Sequence, residues 1–401
     1  MLHLCLMFNK KTIRDVELGG RTVLLRADYN VPVKDGQITD DYRLKKSLPT
    51  IEYLRQRGCK IIICSHLGRP AGQFDAQFSL EPVAKRLGEL LGIEVKFVPE
   101  CIGDQVAMAA KALQPAEVLL LENLRFHAEE ETNDREFARQ LADPAEYFVQ
   151  DGFGVVHRAH ASTSAVAEFL PSVAGLLLEN EAQQLSIAVD NPLRPLITVM
   201  GGAKISDKIE LINRFLTQAN TIIVGGAMAN NFLAAAGHNI GKSLYDKDDL
   251  NQAKTIMEQA RRAGVELVLP SPDVAVAKQI GSAAERRDIP LEQVADDDII
   301  LDFGTGSIDH VLNLIEHAGT VIWNGPLGMT ELSQFAIGSE RLAKFIAEKH
   351  INCVVGGGDT AGFIEGLGLV DKFTHVSTGG GASLELLSGR QLPGIAALLD
   401  K

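Results

Sequence analysis

Short, almost uninterrupted apolar runs recur along the whole chain, and each is followed by a stretch with helical periodicity. Strands without polar alternation are typical of parallel sheets whose two faces are covered by helices. The runs are Thr22–Leu25, Lys60–Cys64, Val95–Val98, Val118–Leu121 and Tyr147–Gln150 in the first half, and Leu196–Val199, Thr221–Val224, Glu266–Leu269, Ile299–Asp302, Thr320–Trp323 and Asn352–Val355 in the second. This alternation predicts an α/β fold with two doubly wound, Rossmann-like parallel-sheet domains.

The chain has 401 residues, which is too long for a domain with a single ordinary hydrophobic core. Between the halves, Val173–Asp190 has a mostly polar helical pattern that Pro192 and Pro195 end before the next strand. We therefore expect a first domain over residues 1–178, a hinge helix and linker over 179–195, and a second domain over 196–385. Residues 1–9 are expected to form a flexible extension.

Composition excludes several classes of protein. The chain has 52 acidic and 39 basic residues, a formal charge of −13, which argues against a nucleic-acid or anionic-membrane partner. No apolar run approaches the roughly 20 residues of a membrane span. The five cysteines are odd in number and form no Cys-x-x-Cys pair, which favours reduced thiols in the cytoplasm and argues against structural zinc.

Arginine follows four strands of the first half, usually with histidine beside it. Ligands of open α/β sheets bind at the carboxyl ends of the strands, so these loops should share one surface. The four arginines are Arg26, Arg69, Arg125 and Arg158, and the accompanying histidines are His66, His127, His157 and His160. Each arginine alone would pass as a solvated surface residue. Together they are suited to a small phosphorylated, carboxylated molecule, because guanidinium groups bind such oxyanions bidentately.

Three more polar residues stand near the first of these loops. Asp28 and Asn30 could bind a substrate hydroxyl, although an Asp-x-Asn sequence also caps turns. Arg43 lies in the segment 40–43 before a helix and, taken alone, is equally consistent with a surface position.

The second half begins with a strand, two glycines and two lysines, in the segment 196–208. Gly201 and Gly202 allow a sharp turn and a close backbone approach, and free N–H groups at a helix start favour an anion. Lys204 and Lys208 are four residues apart, so a helix would place both on one face, either for that anion or as a solvated pair. Ala203 precedes Lys204 where a phosphate loop needs glycine, and no Gly-x-Gly-x-x-Gly follows a strand, so neither common nucleotide motif is present.

Further glycine-rich turns follow the later strands and are suited to backbone contact with a flat, phosphate-bearing ligand such as a nucleotide. Asp359 and Thr360 open a helix after three glycines and could offer a carboxylate to Mg²⁺ and a hydroxyl to a phosphate. A simple N-cap role for Asp359 is the alternative. Glu331, beyond the turn 324–328, could bind ribose hydroxyls or be a surface acid.

Seven motifs stand in order along the chain: Arg-Ala-Asp-Tyr-Asn-Val-Pro (26–32), His-Leu-Gly-Arg-Pro (66–70), Glu-Asn-Leu-Arg-Phe-His (122–127), His-Arg-Ala-His (157–160), Gly-Gly-Ala-Lys-Ile-Ser-Asp-Lys (201–208), Trp-Asn-Gly-Pro (323–326) and Gly-Gly-Gly-Asp-Thr (356–360). Through these motifs the chain resembles the phosphoglycerate kinase family from about Lys10 to its end. The resemblance implies reversible phosphoryl transfer between 1,3-bisphosphoglycerate and MgADP, giving 3-phosphoglycerate and MgATP, in a cleft between two domains that close about a hinge. It further implies a cytoplasmic monomer whose residues 386–401 return to the first domain.

The resemblance also implies roles for individual residues. The phosphoglycerate would be held by Asp28, Asn30, Arg43, His66, Arg69, Arg125 and Arg158. The transferring group would be stabilised by Arg43, Lys204, Gly379 and Gly380. The nucleotide would be bound by Lys208, Glu331, Gly357, Gly358, Asp359 and Thr360, with Asp359 on Mg²⁺.

Two other functions remain open at this point. One is a kinase of the same fold for another small phosphorylated or carboxylated acid. The other is a non-catalytic nucleotide-binding or scaffolding protein, against which the joint presence of Arg43, Lys204 and Asp359 argues, since binding alone would not need all three.

Overall fold

The computed structural model describes residues 8–34 and 36–401. The first seven residues of the expected extension 1–9 therefore lie outside the described residues. Contacts divide the chain into two units, Met1–Gln183 with Gln391–Lys401, and Gln184–Arg390. Each unit is built on its own six-stranded sheet.

The first unit contains the strands β1 (Thr22–Arg26), β2 (Val33–Lys34), β3 (Gln37–Ile38), β4 (Lys60–Cys64), β5 (Val95–Val98), β6 (Val118–Leu121), β7 (Tyr147–Gln150) and β8 (Ser172–Ala174). Its helices are α1 (Tyr42–Gln56), α2 (Glu81–Leu91), α3 (Asp104–Ala112), α4 (Ala128–Glu131) and α5 (Arg135–Ala142), and α6 (Leu176–Asp190) crosses the division between the units. The main sheet has the order β5-β6-β4-β1-β7-β8, and all its strand pairs are parallel. The prediction of a parallel sheet is confirmed.

The continuous apolar runs are explained by burial on both faces of this sheet. Val23 and Leu25 belong to one hydrophobic cluster, whereas Leu24 between them belongs to another. Successive side chains of a strand point to opposite faces, so a strand between two helical layers needs an apolar residue at every position.

The second unit contains β9 (Leu196–Met200), β10 (Thr221–Val224), β11 (Glu266–Val268), β12 (Asp273–Ala277), β13 (Arg287–Pro290), β14 (Ile299–Phe303), β15 (Thr320–Asn324), β16 (Cys353–Gly356) and β17 (His375–Val376). Its helices are α7 (Ile209–Phe215), α8 (Gly226–Ala235), α9 (Leu250–Ala263), α10 (Thr305–Glu316), α11 (Ile337–Lys349), α12 (Gly358–Gly366) and α13 (Gly381–Leu387). The order β11-β10-β9-β15-β16-β17 is parallel throughout, as predicted.

The run Ile299–Asp302 is not a strand of this parallel sheet, contrary to the prediction. It forms β14, which pairs antiparallel with β12 in a separate three-stranded sheet of order β13-β12-β14. Burial along β14 is less continuous than along the central strands. Periodicity reports that a segment is extended, but it does not report which strand the segment pairs with.

The helical pattern predicted from Val173 begins later. Ser172–Ala174 form the edge strand β8, and α6 starts at Leu176 after Gly175. Gly175 donates its N–H to the carbonyl of Gln150 (2.8 Å), and a Cβ there would lie 2.1 Å from Asp151 Oδ1. This close approach separates the strand from the helix, which ends at Asp190 before the prolines.

The last residues complete the first unit. A short helix, α14 (Pro393–Ala396), precedes Leu399, whose N–H donates to the carbonyl of Ser172 (3.0 Å) and whose carbonyl accepts from the N–H of Lys11 (2.7 Å). Among the described residues, no helix combines the length and apolarity that crossing a bilayer requires.

Candidate active site

Four arginines of the first unit act electrostatically on one buried histidine, His66. Burial lowers the pKa of His66 well below its ordinary value, and the charges of Arg26, Arg125, Arg158 and Arg43 lower it further. We call these four arginines the basic cluster. Arg26, Arg125 and Arg158 belong to the loops that were expected to share one surface, whereas Arg43 belongs to α1 and Arg69 is not among the four. The lowered pKa keeps the imidazole of His66 neutral.

Arg43 is held by the two polar residues singled out after β1. Its Nη1 donates to Asp28 Oδ2 (2.9 Å) and to the carbonyl oxygen of Asn30 (3.2 Å). Asn30 Oδ1 accepts from the N–H of Gly68 (2.9 Å), which ties the β1 loop to the β4 loop. Arg43 lies inside the first turn of α1, not in a loop before the helix as expected, because α1 starts one residue earlier.

The remaining arginines differ in exposure. Arg125 is buried, donates from Nη1 to the carbonyl of Gly68 (2.7 Å) and pairs with Glu131 (3.0 Å). Arg158 Nε donates to His157 Nε2 (3.2 Å). Arg69 is exposed, and its guanidinium has no hydrogen-bond or ion-pair partner in the described part of the chain. An exposed, unpartnered guanidinium is available to an incoming anion.

Arg26 is a member of the cluster that the residue assignments omitted. It is only 1% exposed, and it donates from Nε to Ser162 Oγ (2.8 Å) and from Nη1 to the carbonyl of Ala27. Its Nη2 lies 3.4 Å from His66 Nδ1. The sequence signal was an arginine at the end of an otherwise apolar, buried strand. A charge is rare at such a position because its burial costs free energy.

His157 and His160 also belong to this surface and were not assigned roles. Burial lowers the pKa of each to about 4, and Arg158 contributes to both shifts. His160 Nδ1 lies 3.8 Å from the buried carboxylate of Glu130, which accepts from Ser162 Oγ (2.6 Å). The surface thus combines permanent cations with neutral imidazoles.

In the second unit, glycine turns after β9, β10 and β15 pack against one another. The N–H of Gly201 donates to the carbonyl of Asn324 (3.0 Å), and the N–H of Gly226 donates to that of Leu327 (2.7 Å). A Cβ on Gly201 would lie 1.8 Å from the carbonyl oxygen of Pro326. Glycine is therefore required there to let backbone pack on backbone.

The two lysines after β9 do not share a helix face, so that prediction is wrong. The chain forms an irregular turn and a 3₁₀ turn, Ser206–Lys208, before α7 begins at Ile209. Lys204 is exposed and pairs with Asp246 (3.0 Å), which raises the pKa of Lys204 through a hydrogen bond and the opposite charge. Lys208 points inward and donates to both oxygens of Asn324, and burial lowers its pKa to about 8. The prediction assumed that the helix begins before Lys204, whereas the turn at Gly201 and Gly202 is followed by irregular structure and α7 begins only after Lys208.

Asp359 lies in the first turn of α12, whose N-cap is Gly357. No side chain caps this helix, so Asp359 does not have the simple capping role that was its alternative. Its carboxylate is exposed and close enough to raise the pKa of Lys208. In contrast, Thr360 is buried, and its Oγ1 accepts from the N–H of Gly325 (2.7 Å).

The turn at Gly379–Gly381 adjoins the start of α12. Ser383 Oγ accepts from the N–H of Gly357 (3.1 Å) and donates to the carbonyl of Gly380 (2.7 Å), so one hydroxyl links the two turns. The N–H of Gly379 donates to Ser377 Oγ (3.1 Å). The N–H of Gly379 is thus already used within the protein, and Gly380 adopts a left-handed conformation with φ of 47°.

A cavity of about 380 Å³ adjoins these turns. Its lining includes the acidic residues Glu331 and Asp359 and the glycines Gly202 and Gly226. The apolar walls include Leu244, Ile280, Phe303 and Leu327, most of which the sequence reasoning did not single out because isolated apolar residues have no signature. A largely apolar slot whose lining also includes carboxylates suits a nucleoside carrying phosphates.

The chain was compared with known proteins. The family model "PGK: Phosphoglycerate kinase" matches residues 13–390. The phosphoglycerate kinases of Pelotomaculum thermopropionicum and Dictyoglomus turgidum are each 48% identical to it, over 392 and 397 residues, and the matches cover 98% of this chain and 100% of those proteins.

The chain is also similar to solved structures of phosphoglycerate kinases. The phosphoglycerate kinase of Coxiella burnetii superposes with a TM-score of 0.87 at 38% identity, covering 97% of this chain and 98% of that one. That of Pyrococcus horikoshii superposes with a TM-score of 0.81 at 32% identity, with the same coverage. Sequence and structure over nearly the whole length therefore show that the chain belongs to the phosphoglycerate kinase family.

Proposed function

We propose that the chain catalyses reversible phosphoryl transfer between 1,3-bisphosphoglycerate and MgADP, giving 3-phosphoglycerate and MgATP. The observation that carries the proposal is the pairing of a basic cluster around His66 with a glycine cradle bordered by Asp359 in the same chain. Family membership supports the same activity.

The first unit supplies the phosphoglycerate site in this proposal. Arg69, exposed and unpartnered among the described residues, is suited to the substrate phosphate, and the buried Arg125 and the partly buried Arg158 add positive charge to the same unit. His66 stays neutral, so its imidazole can donate one hydrogen bond to the substrate and accept another without carrying a positive charge. Asp28 and Asn30 are suited to the hydroxyl, although both also hold the segments around them.

The second unit supplies the nucleotide site. The apolar slot would take the base, Glu331 the ribose, and the turns at Gly357–Thr360 the phosphates. The exposed carboxylate of Asp359 fits Mg²⁺, a hard cation that commonly takes one carboxylate together with phosphate oxygens. When bound with the nucleotide, Mg²⁺ neutralises phosphate charge.

The transfer needs little covalent help from the protein. In the direction of ATP use, a carboxylate oxygen of 3-phosphoglycerate bonds to the γ-phosphorus while the bond to the bridging oxygen of ADP breaks. Arg43 and Lys204 would balance the charge on the group in flight, since alignment and neutralisation account for most phosphoryl-transfer catalysis. Lys204 must first leave Asp246, an exposed pair whose loss costs little.

The proposal also covers the organisation of the chain. Residues 1–178 would bind phosphoglycerate, residues 196–385 would bind nucleotide, and the segment 179–195 would act as the hinge for closure that excludes water. A cytoplasmic monomer is part of the proposal, and the buried, unpaired thiols of Cys59, Cys64, Cys101 and Cys353 are consistent with a reducing compartment.

The decisive experiment is a coupled assay with 3-phosphoglycerate and MgATP beside a panel of other phosphorylated and carboxylated acids. Turnover should be highest with 3-phosphoglycerate and absent without Mg²⁺. Preference for another acid would favour the related kinase, and nucleotide binding without any turnover would favour a non-catalytic protein.

A further inference from the structure

Three metal-binding side chains meet at the edge of the first sheet, in a place the proposed reaction does not use. They are Glu100, Cys101 and His127, and one ligand atom of each lies within 4.8 Å of the others. Glu100 and Cys101 follow β5, and His127 follows the turn after β6. Because β5 and β6 pair in parallel, with Val98 opposite Leu121, their outgoing loops bring these residues together. We call the three the thiol cluster.

We infer that the thiol cluster is a binding site for a borderline divalent transition metal such as Zn²⁺. Thiolate, imidazole and carboxylate are the three ligand types that Zn²⁺ takes in proteins, and three such ligands leave a fourth position for water. Mg²⁺ and Ca²⁺ prefer oxygen donors throughout, so sulfur and nitrogen in the set select against them.

The surroundings allow such an ion to enter and be held. A cavity of about 160 Å³ is lined by all three side chains, and the Glu100 side chain is 42% exposed, which provides a path from solvent. Cys101 is 1% exposed, so the sulfur forms the inner wall. The ring of His127 is supported by Phe137, with centroids 5.0 Å apart.

The contacts within the cluster are ones that a metal can replace. His127 Nε2 lies 2.7 Å from Glu100 Oε1, and Cys101 Sγ donates to the carbonyl of Glu122 (3.0 Å). An ion between them would take the imidazole nitrogen and a carboxylate oxygen and displace the thiol proton to water, leaving a metal–thiolate bond. The Glu122 carboxylate is not available, because it accepts from Ser79 Oγ and from the N–H groups of Leu80 and Asn123.

The test is a Co²⁺ titration of the full chain, reduced, freed of metal and without nucleotide. Co²⁺ takes tetrahedral sites similar to those of Zn²⁺ and reports a thiolate ligand by a sulfur-to-cobalt charge-transfer absorption. We expect this band to saturate at a single site and to be removed by Zn²⁺ but not by Mg²⁺. Cys101→Ser should abolish the band, and His127→Gln and Glu100→Gln should each weaken Co²⁺ binding about tenfold or more.

Cys353→Ser is the matched control, because it removes another buried thiol that lies in the second unit and outside the cluster. It should leave the band unchanged. If Cys101→Ser does not fold, Glu100→Gln and His127→Gln still test the inference, because both side chains are partly exposed and their replacement should leave the fold intact. The inference is overturned if the unsubstituted chain gives no band, or if these variants bind Co²⁺ as tightly as it does. The readout is independent of catalysis, so its failure would not bear on the proposed kinase activity.

Discussion

At the scale of single residues, the first unit concentrates positive charge in a protein whose formal charge is −13. Arg26 and Arg125 are buried, and burial lowers the pKa of Arg125 despite its pairing with Glu131. Holding cations out of water costs free energy even when they are paired and hydrogen-bonded, and ionisable groups perturbed by burial are common at functional sites.

Replacing Arg43 or Lys204 by alanine should lower kcat by about 10²-fold or more, because each would neutralise charge that develops during transfer. The dissociation constant for nucleotide should change by no more than about threefold. Steady-state kinetics and nucleotide titration check this, with the exposed Lys254→Ala as the control. Equal losses in turnover and affinity would mean that the two side chains only bind.

At the scale of elements, the glycine turn after β9 is dictated by contact with the turn after β15. Gly201→Ala should destabilise the fold by about 1–3 kcal/mol or more, because its Cβ would lie 1.8 Å from the carbonyl oxygen of Pro326. Gly362→Ala, within α12 and with no atom near the added Cβ, should instead stabilise by about 0.5–1 kcal/mol. Denaturant unfolding of both variants measures the contrast, and similar effects would contradict the packing argument.

The start of α6 depends on a buried carboxyl group. Asp151 Oδ1 accepts from the N–H groups of Leu177 (2.9 Å) and Leu178 (3.2 Å), whereas Oδ2 has no hydrogen-bond partner among the described residues. Burial raises the pKa of Asp151 to about 7, although the nearby Thr50 hydroxyl and those two N–H groups oppose the shift. The neutral acid is therefore the form that this helix start accommodates well.

The raised pKa gives a stability that is present at low pH and is lost as pH rises. Between the ordinary pKa of 3.8 and about 7, the folded state holds a proton that the unfolded state releases. Asp151→Asn imitates the protonated acid, so the stability of the variant relative to the parent should rise from pH 5 to 7 by at most about 1.4 kcal/mol per pH unit, then level off above pH 7.

Unfolding in urea across that pH range measures the difference. Asp371→Asn, at an exposed carboxylate, is the control and should show no such trend. A pH-independent difference for Asp151→Asn would mean that the carboxyl group is ionised throughout.

At the scale of the whole molecule, the proposed transfer needs both substrates to be held at once. Binding 3-phosphoglycerate and a non-hydrolysable MgATP analogue together should reduce the radius of gyration more than either ligand alone. The reason is that closure stabilises the complex most when both anionic ligands are present to contact the cationic side chains. Small-angle X-ray scattering measures this change. The same scattering curve without ligands tests the monomer, and additive effects of the two ligands would argue against closure as a joint response.

Much of the architecture could be predicted from the residues alone. The bounds of β4, β5, β6, β7 and β10 match the predicted apolar runs without change. For β4, β6, β7 and β10 the reason is burial on both faces, which requires apolar residues along nearly the whole strand. The arginine loops were found in the same way, since each directly follows such a run. That the assigned residues bind substrate and nucleotide stays a prediction.

The tertiary structure decided what depends on the path of the chain between distant segments. Lys204 and Lys208 point to different partners, Ile299–Asp302 joins a separate antiparallel sheet, and Arg26 proves to be buried beside His66. Local periodicity records whether a residue is buried and whether its segment is extended or helical. It does not record which remote backbone or charge comes to lie beside it, because that depends on how both segments pack, and neither segment contains that information by itself.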